Sequence, residues 1–154
     1  MKNKTPLILV EQLVMLLVFS LASALCIRAF ALAERTSQWN ADRDRAVFSA
    51  QNAAEVLKAA GLRSGSMEGT MAEAARLLNG EAGQDLLYVY YDDNWDVSGK
   101  ETASYHLCAH SIPSSVQGLC TAEIRIDSLK GSSGPDRSPL FQLTVAWQEV
   151  DLHG

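Results

Sequence analysis

The segment LILVEQLVMLLVFSLASALCIRAFALA, residues 7–33, decides the fold of this chain. It is almost wholly apolar, and a helix of this length measures roughly 40 Å because each residue adds about 1.5 Å. The hydrocarbon core of a bilayer is about 30 Å thick, so the segment is long enough to cross it with some tilt. The sequence therefore predicts one transmembrane helix near the N-terminus.

Charges on the two sides of this segment predict its orientation. Lys2 and Lys4 precede it with no acidic residue beside them, whereas the arginines beyond it are mixed with Glu34, Asp42 and Asp44. Short basic flanks stay on the cytoplasmic side of a membrane. We therefore expect a single-pass protein of the cytoplasmic membrane, with its N-terminus inside and its C-terminus outside.

A secretory signal peptide is the competing interpretation of the same segment. Its basic start and apolar core fit that class, and Ala22-Ser23-Ala24 offers a cleavage site of the A-x-A kind. The apolar run is longer than a usual signal core. A soluble domain released after Ala24 therefore stays open as a weaker alternative.

The helix is predicted to extend beyond the membrane. Pro6 is tolerated only in a first turn, so the helix begins near Thr5 to Leu7. Residues 34–61 contain strong helix formers and no proline, and Gly61 is the expected stop. An apolar stripe at helical spacing along this part needs a cover from elsewhere in the chain. That stripe consists of Val47, Ala50, Ala54 and Leu57.

Residues 62–154 are predicted to form a globular α+β domain. Ser66 can cap a short helix from Met67 to about Asn79, with Gly80 ending it. After that helix the apolar period changes to alternation, which indicates strands joined by short loops as an antiparallel meander. The four predicted strands are Leu86–Tyr91, Ala103–Ala109, Leu119–Ile126 and Leu140–Val150. One face of this sheet would pack on the outer half of the long helix, and the other would carry Arg125, Asp127, Gln142 and Gln148 toward solvent.

Composition excludes several classes of function. The chain has 154 residues and a formal net charge of −5, and no basic cluster follows the apolar segment, which argues against binding to nucleic acid. Scattered serines give no nucleophile motif, and no glycine-rich phosphate loop is present. The sequence therefore indicates a protein that is not an enzyme and needs no cofactor.

The N-terminal layout resembles the type IV pilin and pseudopilin superfamily. The resemblance is carried by Leu7-Ile8-Leu9-Val10-Glu11, then by Gln12-Leu13-Val14-Met15-Leu16-Leu17, and by a helix that leads into an antiparallel sheet. It implies a structural subunit of a type IV pilus, type II secretion or DNA-uptake filament, closer to a minor pilin or pseudopilin than to a major one. Implied partners are like subunits, a prepilin peptidase, an inner-membrane assembly platform and membrane lipid.

The resemblance also implies roles for particular residues. Residues 1–6 would be a leader, cut between Pro6 and Leu7, with the new N-terminus methylated. Glu11 would meet the N-terminal amine of a neighbouring subunit during assembly. The family usually has glycine where Pro6 stands, and an uncut leader would instead give a membrane-anchored domain that binds a partner without polymerising. Glu11 would then only snorkel to the bilayer edge.

Three smaller features complete the sequence predictions. Cys108 and Cys120 lie at facing ends of consecutive strand candidates, so a hairpin could place them within reach of a disulfide; two separate thiols are the alternative. The acidic loop after Leu86–Tyr91 alternates oxygen ligands as a calcium loop does, but Val97 stands where an EF-hand needs glycine, which favours an ordinary turn. His106 and His110 are four residues apart in a strand, too far to share a metal ion.

Overall fold

The computed structural model describes residues 5–130 and 139–148. The chain divides into two compact units, Met1–Ala41 and Asp42–Gly154. The predicted divisions at residues 33 and 61 differ from this boundary, because the second unit includes the last part of the long helix as a packed element. The helices and strands in chain order are α1 (Thr5–Ser64), α2 (Met67–Leu78), β1 (Glu81–Ala82), β2 (Leu86–Tyr91), β3 (Tyr105–Ile112), β4 (Leu119–Ser128) and β5 (Phe141–Gln148).

The strands form one antiparallel sheet in the order β1-β2-β3-β4-β5. The predicted meander of four strands is confirmed, and β2 has the predicted bounds. The two-residue strand β1 was not expected, because Glu81 and Ala82 are too few to show a period. β3 lies two to three residues later in the chain than its sequence prediction. The last predicted strand extended to Val150, whose position lies outside the described residues.

Helix α1 covers one face of the sheet in the second unit, as predicted. Five of its seven buried residues in this unit are alanines and another is Gly61, so side chains from the strands can reach the helix backbone. Val47, which was predicted to belong to the stripe, is only half-buried. The buried positions of α1 are Ala46, Ala50, Ala53, Ala54, Leu57, Ala60 and Gly61.

The strands place alternate residues in this core. Leu87 and Val89 from β2, Leu107 from β3, and Ile124 and Ile126 from β4 are all completely buried. The opposite face carries the polar residues of the same strands, which is the alternation expected for a sheet covered on one side. The fold class predicted from sequence, an α+β protein with a helix packed on an antiparallel sheet, is confirmed.

Helix α2 closes one end of this core and follows the predicted capping closely. The Ser66 hydroxyl accepts a hydrogen bond from the Gly69 N–H at 3.2 Å, as an N-cap residue does. At the other end Asn79, with φ of 54°, takes the left-handed conformation. Gly80 follows it, and a Cβ there would overlap the backbone carbonyl of Tyr88. Gly80 therefore permits close packing of α2 on β2.

The predicted helix stop at Gly61 is wrong. Helix α1 continues to Ser64, and Gly65 with φ of 62° follows it in the left-handed conformation typical of a helix end. Gly61 is buried inside the helix, where a Cβ would overlap the indole ring of Trp147. A glycine in this position lets β5 approach the helix backbone.

We expect Gly61→Ala to destabilise the second unit by about 1 to 3 kcal/mol, because the buried Trp147 ring must move to admit the methyl group. Helix propensity alone predicts the opposite sign, since alanine is favoured over glycine inside a helix. The measurement is denaturant unfolding of the full chain in detergent, followed by circular dichroism. Gly99→Ala is the control, because nothing lies within 4 Å of a Cβ there. Equal or higher stability of Gly61→Ala would contradict this packing.

Candidate assembly interface

The first unit of the chain is an uncovered apolar helix. Residues Ile8–Ser64 contain a helical stretch long and apolar enough to cross a membrane, and none of its most apolar part is buried. Fifteen large apolar side chains between Ile8 and Leu32 are 49% to 76% exposed. Apolar surface on every side of a helix is typical of a segment that lipid or other helices surround.

Polar groups in this apolar segment are few. The Ser20 hydroxyl donates to the Leu16 carbonyl oxygen at 2.7 Å, so its polarity is satisfied within the helix. Glu11 and Arg28 are the only charged residues among positions 5–33, and both are exposed. A charge near the middle of a bilayer costs about 3 kcal/mol on insertion scales, so such residues tend to pair or to reach water. Pro6 and Leu7 lie within α1 as predicted for a first turn.

Of the two alternatives left open for Cys108 and Cys120, the structure has the separate thiols and no disulfide between them. Cys108 lies opposite Arg125 in the β3–β4 register, whereas Cys120 lies opposite Trp147 on the other side of β4. Cys120 also packs against the core while Cys108 lies on the open face. The two side chains are therefore on opposite faces of the sheet and several residues apart along it.

We expect all three cysteines of the chain to react with an alkylating reagent in denaturant without reductant. The measurement is the intact mass of the protein, before and after reduction. The same number of adducts in both samples would agree with the register described here. Two fewer adducts without reductant would show one intramolecular disulfide, and peptide mapping that joined Cys108 to Cys120 would require a different β3–β4 pairing.

The open face of the sheet carries two histidines opposite carboxylates. His106 Nε2 lies 3.9 Å from an Asp127 oxygen, and His110 Nε2 lies 3.9 Å from a Glu123 oxygen. Asp127 also accepts two hydrogen bonds from the Arg125 Nε and Nη2 atoms within 3.0 Å. Each histidine thus faces its own carboxylate. Among residues 5–130 and 139–148, no group of three or more His, Cys, Asp or Glu side chains is placed to hold a metal ion.

Burial lowers the pKa of His106, and the nearby Arg125 guanidinium adds to this effect while Asp127 opposes it. We therefore expect the folded state to bind a proton at His106 less readily than the unfolded chain does. This contribution to stability is present above the ordinary histidine pKa of 6.5 and is lost as the pH falls through the lower folded value.

The thermal midpoint should consequently fall between pH 7.5 and pH 5.5 more steeply for the natural chain than for His106→Gln, a range near the usual histidine pKa of about 6.5. Circular dichroism melts of both proteins in the same detergent provide the comparison. Parallel pH profiles would show that His106 does not contribute to this dependence.

The loop between β2 and β3 is held by an aromatic stack. Trp95, with φ of 67°, stacks on Tyr105 with ring centroids 4.2 Å apart, and its Nε1 atom lies 3.5 Å from an Asp42 oxygen of α1. The Lys130 ammonium lies 4.5 Å from the centre of the Tyr105 ring and 2.6 Å from an Asp93 oxygen. These contacts join the loop, α1 and the end of β4 within the second unit.

The acidic loop between β2 and β3 forms a hydrogen-bonded turn. An Asp92 carboxylate oxygen accepts hydrogen bonds from the Asn94 and Asp96 backbone N–H groups at 2.8 Å and 3.0 Å. Asp93 pairs with Lys130, whose pKa rises because the hydrogen bonds to Asp93 and Tyr105 outweigh the lowering effect of burial. The Asp92 and Asp93 carboxylates therefore both have partners in the fold.

The second unit also has an open groove of about 610 Å³ between α1, α2 and the β2–β3 loop. Phe48 on its rim is 73% exposed, which is unusual for a residue of this size. Sequence reasoning missed this groove and the Trp95 stack, because both depend on which face of α1 the loop meets. The predicted periodicity of α1 showed its buried side but did not place Phe48 beside Val97 and Leu77.

Comparison of the chain with protein-family models, with curated proteins and with solved structures gave no match.

Proposed function

We propose that this chain is a structural, non-enzymatic subunit of a filament of the type IV pilus kind. It would be a minor pilin or a pseudopilin-like subunit of a pilus, a type II secretion system or a DNA-uptake system, assembled through its N-terminal helix. The observation that carries this proposal is Glu11, one acidic residue in an uncovered apolar helix. The same helix, α1, continues as the core element of the second unit, where it packs on the sheet.

In this proposal the helix has two successive environments. Lipid surrounds residues 7–33 while the protein is in the cytoplasmic membrane, with the N-terminus inside and the sheet outside. Neighbouring subunits replace the lipid after extraction into the filament. Helix association then depends on close van der Waals packing, and Ala22, Ser23, Ala24 and Ala29 are small enough to permit it.

Pro6 favours a second function, that of an anchored domain which binds a partner and never polymerises. A proline before the scissile bond fixes the backbone there and restricts the residue preceding it. An uncut leader would keep the N-terminal amine away from Glu11. The first residue of the protein in each cell fraction distinguishes the two functions. A methylated N-terminus at Leu7 in material sheared from the cell surface supports the filament, and Met1 confined to the membrane supports the anchor.

Glu11→Ala should leave the amount of protein in the membrane unchanged and lower its amount in the sheared fraction about tenfold or more, because an unpaired partner charge would remain between packed helices. Immunoblots of membrane and sheared fractions measure both quantities. Glu34→Ala is the control, since Glu34 stands just beyond the other end of the apolar segment. Normal incorporation of Glu11→Ala would sink the proposed role of Glu11.

A further inference from the structure

The apolar segment contains one acidic and one basic residue, and they cannot meet within one chain. Arg28 follows Glu11 by seventeen residues in the same helix. At about 1.5 Å per residue this places the two charges about 25 Å apart along the helix axis. At about 100° per residue they also lie roughly 100° apart around it. Each charge therefore needs a partner from outside the chain or access to water.

We propose that Glu11 of one copy pairs with Arg28 of a second copy, shifted by about 25 Å along the helix axis. This inference rests on the proposed function and adds the stagger of the subunits to it. The second copy is the partner that the charges favour, because this segment supplies one charge of each sign and surrounds both with exposed apolar side chains. In apolar surroundings opposite charges gain from pairing, since neither is well solvated.

The contact between Glu11 and Arg28 can form in the filament but not between copies anchored in one membrane. Copies anchored in one bilayer lie at the same depth, so Glu11 and Arg28 are near opposite edges of the membrane and each can reach water there. An axial shift removes both from those edges and brings them together. The contact thus becomes available only when one copy has moved out of the membrane relative to another.

The geometry also makes the contact repeat. When Glu11 of one copy pairs with Arg28 of a second copy, Arg28 of the first copy and Glu11 of the second copy are still available for pairing. Because the two residues lie on different sides of the helix, a third copy can bind without displacing the second. Contacts of this heterologous kind form open chains and not closed pairs. The pairing also needs no free N-terminal amine beside Glu11, so it is compatible with Pro6.

Cysteine cross-linking tests the stagger directly. Met15 and Leu32 each lie four residues after one of the two charges, on the same side of the helix as that charge. In the full chain with Cys26→Ser, the pair Met15→Cys and Leu32→Cys should give a ladder of disulfide-linked multimers in the sheared fraction. The matched control combines Met15→Cys with Leu25→Cys, which shares the Arg28 side but requires a shift of about 15 Å. Each single variant should give dimers at most.

Charge exchange tests the pair itself. Arg28→Glu alone and Glu11→Arg alone should each lower the sheared fraction about tenfold, because like charges then meet. The double variant Glu11→Arg with Arg28→Glu should restore most of it.

The outcomes separate this inference from the proposed function. If the natural chain never enters a sheared fraction, both are overturned. If it does, but the ladder forms only with the control pair, or the double variant stays as low as the single ones, the stagger is overturned and the filament remains.

Discussion

The structure of the second unit depends on how closely α1 lies against the sheet. Alanines of α1 face the strand side chains, and at Gly61 the Trp147 ring lies so close to the helix backbone that it would overlap any side chain there. Leu57 is the one large residue of α1 buried there, so most of the apolar volume comes from the strands. The strands thus supply more of the buried apolar volume than the helix does. Larger residues on the buried side of α1 therefore destabilise the unit mainly by overpacking the core.

Much of this fold could be predicted because its signals are local. The Ser66 cap, the change from helical to alternating periodicity and the composition of β2 depend on residues close together in sequence. The possible pairing of Cys108 with Cys120, by contrast, depended on the register between two strands. Cys108 and Cys120 belong to adjacent strands, but a shift of one residue moves a side chain to the other face of a sheet. In the observed register Cys108 pairs with Arg125, because β3 extends beyond its predicted end at Ala109 as far as Ile112, which lies opposite Thr121.

The candidate site shows the same division. Glu11 was evident from sequence, because an acidic residue in an apolar run is anomalous whatever the fold. The groove beside Phe48 and the stack of Trp95 on Tyr105 were not, because each joins residues ten or more positions apart through the path of a loop. Gly61 was misread for a related reason. A glycine near a helix end is typical of a stop, and only its contact with β5 reveals the other role.

The two parts of α1 differ in how their apolar residues are distributed around the helix. Residues after Asp42 bury one stripe and leave the other sides mostly polar, with Phe48 and Leu62 exposed, whereas Glu11 and Arg28 are the only charged residues of the apolar stretch 8–32. A simple anchor needs only the apolar surface, and charges placed 25 Å apart would add cost without benefit if each faced lipid alone. If the helix packs beside copies of itself that are shifted along the axis, the two opposite charges can pair between copies. For that reason we regard the pair, more than the apolar length, as the feature that favours assembly over anchoring.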